Sequence, residues 1–296
     1  MKIVIEGLSK VYPNGNKAID HVNLEIPDGM FGLLGPNGAG KSTFMRILVT
    51  LMKPSSGKVT VDGYDLVKDR REIRKMLGYL PQDFRFFSKL TTYEFLDYAA
   101  RLAGMKSARE RSAAVDRMLE EVGLFEARDR QANRLSGGMK RRLGIAQALI
   151  NHPRLIIVDE PTTGLDPEER IRFRNLLSTI STNQVIIILS THIVGDISST
   201  CKNMALLNKG EVIYSGAPDD LVAKAKGKVW LIRATEAEYL EINEKYPVIS
   251  NVPTSDGWEV QVVADRINGY AGHTIDANLE HAYVYFMERN LDHRAG

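Results

Sequence analysis

Nine consecutive residues, Gly35-Pro36-Asn37-Gly38-Ala39-Gly40-Lys41-Ser42-Thr43, decide the fold class of this chain. They fit the spacing G-x-x-x-x-G-K-[ST], in which glycines allow a tight turn whose main-chain N–H groups can surround an anion. An apolar strand, Met30–Leu34, precedes them, and a helical pattern, Phe44–Met52, follows and ends near Pro54. The order strand, glycine turn and helix predicts a phosphate-binding loop at the positive end of a helix.

A second segment with candidate catalytic residues is the apolar run that ends in the two acids Asp159 and Glu160. In open α/β sheets, ligands lie at the carboxyl ends of the strands, so these acids are expected near the glycine loop. Lys41 would then contact the β- and γ-phosphates of a nucleotide, and Ser42 and Asp159 would hold Mg²⁺. Glu160 is expected to accept a proton from the attacking water. The alternative is that the two acids only begin a turn.

The periodicity of the chain predicts an α/β fold. Residues 154–158 and 184–190 are continuous apolar runs, which is typical of strands buried on both faces of a parallel sheet. A helical stretch, Pro167–Ile180, lies between them and completes a βαβ unit. Residues 1–34 are β-rich, whereas helices are predicted at three places between about 91 and 150: Tyr93–Ala103, Ala108–Val122 and Met139–Ile150.

Composition excludes several classes of protein. The 296 residues carry a net charge of +2 and are 44% hydrophobic, which excludes disorder, collagen and disulfide scaffolds. The balanced charge argues against a nucleic-acid partner. The single Cys201 excludes an intramolecular disulfide and fits a small buried hydrophobe. Apolar runs are far shorter than the roughly 20 residues of a membrane span, so we expect a soluble chain.

A second series of strand and helix patterns begins after the first 222 residues. Lys228–Arg233 predicts a strand, Thr235-x-x-Glu238 is a capping-box signature that opens a helix, and Trp258–Val263 alternates strongly. We therefore predict a main domain over residues 1–222 and a small α+β domain over 223–296.

A family resemblance is indicated by a second glycine-rich segment at the start of a helix, Leu135-Ser136-Gly137-Gly138-Met139. Together with the glycine loop and the acids, it resembles the nucleotide-binding subunit of ABC transporters, whose signature is usually LSGGQ. Met139 departs from that pattern. The resemblance implies that Ser136, Gly137 and Gly138 bind the γ-phosphate of ATP held by a partner subunit. Taken alone, the segment would equally fit a helix cap.

Two further motifs resemble catalytic segments of that family. Gln82, within Tyr79–Asp83, matches the glutamine that contacts Mg²⁺ and the attacking water. His192, at the end of Leu189–His192, matches the histidine that hydrogen-bonds the γ-phosphate. Without the resemblance, Gln82 would be an exposed loop residue and His192 a structural one.

Two other motifs resemble contact segments. Asp166, in Gly164-Leu165-Asp166, matches the D-loop that meets the other subunit, although it also precedes Pro167 as a helix N-cap would. Tyr12 matches the aromatic residue that stacks on adenine, and the alternative is a core tyrosine at a strand end.

The resemblance also implies an architecture and partners. The expected fold is a P-loop NTPase: a RecA-like core sheet, an N-terminal antiparallel β subdomain and a helical subdomain over about 84–150. The expected activity is hydrolysis of ATP with Mg²⁺. Two cassettes, a homodimer in the simplest case, would close head to tail at the cytoplasmic face of the membrane. A separate transmembrane permease would dock around Asp83–Tyr98. The closing segment Asn278–Phe286 and the entry Phe31–Gly35 are similar to drug, antibiotic and sodium exporter ATPases.

Other classes fit less well. A soluble ABC-type ATPase usually carries two fused cassettes or a long coiled coil, and neither pattern is present. A P-loop kinase would not need the second glycine-rich segment, and no strand end carries a match to the guanine-specifying N-K-x-D motif of GTPases. A regulatory module with little hydrolysis would not need both Glu160 and His192. Lys140-Arg141-Arg142 is interpreted as a solvated helix face.

Overall fold

The computed structural model describes residues 1–84, 89–181 and 185–292, with side chains up to residue 289. The chain divides into two compact units, Met1–Ser215 and Gly216–Gly296. The first unit contains both glycine-rich segments and all the candidate site residues.

An antiparallel sheet opens the first unit. Its strands, in the order β2-β1-β4-β5, are β1 (Lys2–Val11), β2 (Lys17–Pro27), β4 (Ser56–Val61) and β5 (Tyr64–Asp65). Alternate residues of β1 are buried, as in a sheet with one face on the core. Ile3 and Ile5 of β1 pair in register with Ile26 and Leu24 of β2. The predicted N-terminal antiparallel subdomain is therefore present.

The central sheet carries the predicted buried strands. Its order is β10-β9-β3-β8-β7-β6, formed by β3 (Gly29–Leu34), β6 (Leu77–Leu80), β7 (Leu155–Asp159), β8 (Ile186–Thr191), β9 (Asn203–Asn208) and β10 (Glu211–Gly216). The pairs β3–β8, β3–β9, β7–β8 and β6–β7 are parallel. Every residue of β7 and β8 is buried, as predicted for a covered sheet. The predicted start of β8 at Gln184 lies outside the described residues.

Helix α1 (Lys41–Leu48) follows the glycine loop and shares one core with both sheets. Phe44 and Ile47 of α1 lie in a single buried cluster with Ile5 of β1 and Ile157 of β7. The helix ends earlier than the predicted Met52. Thr50 adopts a left-handed φ of 60°, and β-branched residues have low helix propensity.

Six more helices complete the first unit. They are α2 (Arg70–Lys75), α3 (Thr92–Leu102), α4 (Ala108–Glu121), α5 (Gly137–Leu149), α6 (Pro167–Ile180) and α7 (Val194–Ser198). Helices α3, α4 and α5 pack on one another and correspond to the predicted helical subdomain. Helix α5 begins at Gly137 instead of Met139, because the Ser136 hydroxyl accepts the Met139 N–H and caps it.

The prediction of a solvated face at Lys140-Arg141-Arg142 is wrong for the two arginines. Arg142 pairs with Glu169 of α6 (Nε–Oε2 3.4 Å) and donates to the carbonyls of Val122 and Gly123. Arg141 lies half-buried against main-chain carbonyls of other segments. Both guanidinium groups are therefore structural donors between elements.

The second unit is the predicted small α+β fold. It contains α8 (Pro218–Lys224), β11 (Val229–Ala234), α9 (Glu236–Lys245), β12 (Val248–Thr254), β13 (Gly257–Val263), β14 (Gly272–Thr274) and α10 (Leu279–Asp292). The sheet order is β12-β13-β11-β14, and Thr235 and Glu238 form the predicted capping box. The predicted boundary after residue 222 lies inside α8. That helix packs against α10, so the compact unit begins at Gly216.

Cys201 is buried, which raises the pKa of its thiol to about 11 and leaves it a small hydrophobe.

Among the helices of the described residues, none combines the length and apolar character of a membrane-spanning segment.

The contact between β6 and α5 yields a stability prediction. A Cβ at Gly78 would clash with the main-chain oxygen of Ala148, which can move only if α5 moves. We expect Gly78→Ala to lower the free energy of unfolding by roughly 1–3 kcal/mol, measured by urea unfolding followed by circular dichroism. Gly195→Ala is the control, since a Cβ there meets open space. Equal unfolding midpoints for the two variants would contradict this packing.

Candidate functional site

A cleft of about 550 Å³ lies at the carboxyl ends of the central parallel strands. It brings together predicted residues from four separate segments, which are Tyr12, the loop residues, Gln82 and Glu160. The loop residues in its lining are Asn37, Gly38, Gly40, Lys41, Ser42 and Thr43. The remaining lining residues are Asn16, Lys17, Ala18, Lys209 and Gly210.

The glycine loop has the conformation that its spacing predicts. Gly38 and Gly40 adopt left-handed φ angles of 80° and 106°, which L side chains rarely adopt. Gly40 is the N-cap of α1, so the positive end of that helix opens onto the cleft. The loop is therefore shaped to hold an anion.

Three loop residues predicted to bind cofactor support the loop instead of lining the cleft. The carbonyls of Gly35 and Pro36 accept the Lys41 ammonium at 2.8 and 3.1 Å. A Cβ at Gly35 would clash with the main-chain oxygen of Leu207, and Ala39 is buried. These residues act by fixing the path of the loop.

A buried ion pair joins the loop to the acids after β7. Lys41 Nζ lies 3.3 Å from Glu160 Oε1, and both side chains are less than one-tenth exposed. A buried charge is costly unless it is paired and hydrogen-bonded. The pair, with the two carbonyls on Lys41, fixes the ammonium and the carboxylate at one end of the cleft.

Asp159 is placed to hold a hard cation. Its carboxylate accepts hydrogen bonds from the Ser190 hydroxyl and from Ser42, which is another predicted Mg²⁺ ligand. Burial raises the pKa of Asp159 and the Glu160 charge adds to it, whereas Ser190, Ser42 and Lys41 lower it. Oxygen ligands of this kind suit Mg²⁺, which uses one or two carboxylates together with phosphate oxygens and water. Within the described ranges, no cluster of three or more His, Cys, Asp or Glu residues could hold a metal ion.

Glu160 lies in a strained turn that is held from several sides. Its φ of 45° falls in the left-handed region, which costs a non-glycine residue of order 1–3 kcal/mol. Its N–H donates to the carbonyl and hydroxyl of Ser190, both at 3.1 Å. Its Oε2 contacts His192 Nδ1 at 3.1 Å and Thr163 Oγ1 at 3.3 Å. Glu160, Lys41 and His192 thus form one connected group.

A buried carboxylate outside the predicted set links the segment of His192 to the turn after Glu160. Asp196 is 1% exposed and accepts the hydroxyls of Thr162, at 2.5 Å, and Thr191, at 3.3 Å. The Thr191 hydroxyl in turn accepts the Ile193 N–H at 2.9 Å. The two segments are therefore tied together beneath the site.

Tyr12 and Gln82 lie at the rim of the cleft. The Tyr12 ring is half-buried, and its hydroxyl is 3.0 Å from Thr43 Oγ1, so the ring stands beside the phosphate loop. Gln82 is exposed in the lining. Phe84, two residues later, packs edge-on against Phe95 of α3 (centroids 5.9 Å apart). The segment of Gln82 is thereby anchored to the helical subdomain.

The signature residues and Asp166 do not line this cleft in the described part of the chain. Ser136 and Gly137 are exposed, and Ser136 caps α5. Asp166 is also exposed, and its carboxylate caps α6 by accepting the Glu169 N–H at 2.9 Å. A Cβ at Gly138 would lie 2.6 Å from the Glu169 carboxylate, so the missing side chain lets the two helix starts approach. The helix-cap interpretation of both motifs is confirmed, and neither helix start belongs to the described lining of the chain's own cleft.

Sequence reasoning missed Ser190, Thr163 and Asp196. Ser190 directly follows the apolar run of β8, so its position at the carboxyl end of a core strand was a usable signal. Asp196 gave no such signal, because its partners are hydroxyl groups brought to it by folding.

Ser190 provides a prediction on Mg²⁺. We expect Ser190→Ala to raise the Mg²⁺ concentration for half-maximal ATP hydrolysis by roughly tenfold, since loss of a partner that orients a metal ligand has that scale of effect. Ser198→Ala is the control, because that exposed hydroxyl donates to a carbonyl of its own helix, Gly195 O. An unchanged Mg²⁺ titration in Ser190→Ala would contradict the assignment of Asp159.

Comparison with known proteins places these residues in a family. Residues 19–163 match the family model described as ABC transporter. The chain is 34% identical over 249 residues to an uncharacterized ABC transporter ATP-binding protein, YxlF, of Bacillus subtilis, covering 84% of this chain and 81% of YxlF. It is 35% identical over 237 residues to the daunorubicin/doxorubicin resistance ATP-binding protein DrrA of Streptomyces peucetius, covering 80% of this chain and 71% of DrrA.

A solved structure supports the same placement. The ATP-binding cassette MJ0796, a dimer in a post-hydrolysis state with ADP and Pi, is 28% identical and superposes with a TM-score of 0.66. The likeness covers 73% of this chain and 98% of that cassette. The chain belongs to the ABC transporter family and is one of its ATP-binding, ATP-hydrolysing subunits.

Proposed function

We propose that this chain is the ATPase subunit of an exporter, working as a pair of cassettes on a transmembrane permease at the cytoplasmic face of the membrane. The observation that carries the proposal is the linked group Lys41–Glu160–His192 at the end of a phosphate-shaped loop. Residues Met1–Ser215 would form the ATPase domain and the second unit an accessory domain.

In this proposal, the groups that line the cleft each have a role in binding ATP. The Tyr12 ring at the rim stacks on adenine, and the main-chain N–H groups from Asn37 to Thr43 surround the phosphates. Lys41 would contact the β- and γ-phosphates, and Ser42, Asp159 and Gln82 are the groups that would hold Mg²⁺. Bound Mg²⁺ would neutralise charge on the phosphate oxygens.

The proposal also gives roles in hydrolysis to the residues around Glu160. The Glu160 carboxylate, held by His192 and Thr163, accepts a proton from water attacking the γ-phosphate. His192 and Lys41 then stabilise the charge on the transferring phosphoryl group. The ordered contacts around Glu160 supply the fixed orientation that such a step requires.

A second cassette would complete each site. Ser136, Gly137 and Gly138 form an exposed helix start outside the chain's own cleft, and Asp166 caps a second exposed helix start close by. Helix N-termini attract phosphate, so these groups suit the γ-phosphate held by a second copy. Contacts made only in the closed dimer would let ATP favour closure and hydrolysis reopen it.

A groove beside the helical subdomain suits the permease. It has a volume of about 560 Å³ and lies between apolar residues of α3, including Leu102, and three cations of α2, namely Arg71, Arg74 and Lys75. Leu102 is 72% exposed. An apolar segment with acidic residues, from a cytoplasmic loop of the permease, would match this groove. The predicted docking region Asp83–Tyr98 adjoins it, although residues 85–88 lie outside the described part.

Export is proposed from two resemblances. DrrA is named for resistance to daunorubicin and doxorubicin, and the chain matches most of its length. The segment Asn278–Phe286, similar to the closing helix of exporter ATPases, covers the first two turns of α10 and the residue before it.

The assignment of Glu160 gives the central test. We expect Glu160→Gln to keep ATP affinity within about threefold and to lower turnover by about 10²-fold or more, because glutamine cannot accept the proton. ATP binding is measured by titration and turnover by phosphate release. Glu168→Gln is the control, since that side chain is exposed and pairs only with Arg172 among the contacts described. Near-normal turnover in Glu160→Gln would overturn the proposed mechanism.

The groove gives a separate test of the membrane partner. We expect Leu102→Glu to reduce co-purification with membranes by about tenfold, because an acid is placed in an apolar contact, while phosphate release by the isolated chain stays unchanged. Leu240→Glu, an equally drastic change at an exposed leucine of α9, is the control. If the unaltered chain never sediments with membranes, the soluble ABC-type ATPase is favoured instead.

A further inference from the structure

Arg141 of helix α5 makes an unusual set of contacts for a residue near the surface of a helix. Its guanidinium group donates to main-chain carbonyls of two segments that are distant in sequence. The distances are 2.8 Å to Pro161, 2.6 Å to Glu160, 3.1 Å to Asp159, 3.0 Å to Gln82 and 3.4 Å to Pro81.

These contacts use the full donor capacity of the side chain. An arginine has five N–H groups in a rigid planar fork, and five carbonyl oxygens accept them here. Burial lowers the pKa of Arg141 to about 10, with partial compensation from Asp159, Asp83 and Glu160, so the group stays charged at neutral pH. Because the fork is rigid, the positions of the two segments are fixed relative to α5.

The two segments carry the groups that act on water and Mg²⁺ in the proposed function. One contains Gln82, and the other is the strained turn of Glu160. The Glu160 N–H is held by Ser190 and its carbonyl by Arg141, so both of its peptide groups are fixed. Without Arg141, the turn would lose the contact on its carbonyl side and could relax toward ordinary φ values.

Helix α5 is also the helix that begins with the signature residues Ser136, Gly137 and Gly138. One side chain therefore connects three functional segments of the same unit. Arg141 is absent from the cleft lining, so its effect must pass through the main chain of Gln82 and Glu160.

We propose that Arg141 is a positioning residue that couples the signature helix to the orientation of Glu160 and Gln82, so that hydrolysis responds to contacts made by α5. The inference rests on the proposed role of Glu160. It predicts that loss of Arg141 slows turnover while ATP binding persists, because the phosphate loop does not touch Arg141.

Arg141→Gln and Arg141→Lys test this in the full chain, with its membrane partner where turnover depends on it. Lysine keeps the charge, but one ammonium with three donors cannot reproduce the planar fork. We expect turnover at saturating ATP to fall about 10-fold to 100-fold in both variants, as for misplacement of catalytic groups. The dissociation constant of ATP should change by less than about threefold, since Lys41 and Ser42 keep their contacts.

Arg111→Gln is the matched control. Arg111 also lies in the helical subdomain; it is buried, donates to the carbonyls of Met105 and Lys106 and pairs with Asp97. The Arg111→Gln variant should have a lower melting temperature than the unaltered chain, while its ATP turnover below that temperature stays normal.

Two results would overturn the inference. One is normal turnover in the Arg141 variants with a melting temperature lowered as in Arg111→Gln, which would make Arg141 purely structural. The other is weakened ATP binding with unchanged turnover at saturation. The Glu160→Gln experiment separates the two proposals. Normal turnover in Glu160→Gln would refute the proposed role of Glu160. An inactive Glu160→Gln variant together with fully active Arg141 variants would refute only the coupling through Arg141.

Discussion

The parallel pairing of β3, β8, β7 and β6 is the constraint on which the site depends. Parallel strands end at the same edge of a sheet, so the segments that follow them must meet there. The glycine loop follows β3, Glu160 follows β7, His192 follows β8 and Gln82 follows β6. Segments more than a hundred residues apart are thereby brought within hydrogen-bond distance, as Lys41 and Glu160 show.

Charge at that edge is balanced locally. Lys41 and Glu160 are both almost fully buried, and either one alone would be an uncompensated buried charge. The neutral acceptors around Lys41 and the donors around Glu160 and Asp159 hold these charges in fixed orientations. This explains why a chain with a net charge of +2 can bind a highly charged nucleotide: a few ordered groups supply the attraction, and the overall field contributes little.

Helix capping explains the exposed surface formed by the N-terminal ends of α5 and α6. Ser136 and Asp166 close the starts of α5 and α6 with their own side chains, and Gly138 allows Glu169 to pack closely. The same caps expose two helix N-termini next to each other, which is the arrangement that a second nucleotide-bearing subunit would use. A capping role and a binding role are therefore compatible at one position.

Features that depend on neighbouring residues could be predicted from the sequence. These include the turn from Gly35 to Thr43, the helix caps at Ser136, Asp166 and Thr235, and the buried runs of β7 and β8, because the spacing of a few residues controls such structure. Folding was needed to establish the pairing of Lys41 with Glu160, the support of Asp159 by Ser190, and the five carbonyl contacts of Arg141. It also assigned α8 to the second unit. The physical reason is that each of these contacts joins groups far apart in the chain, whose distance is set by how sheets and helices pack.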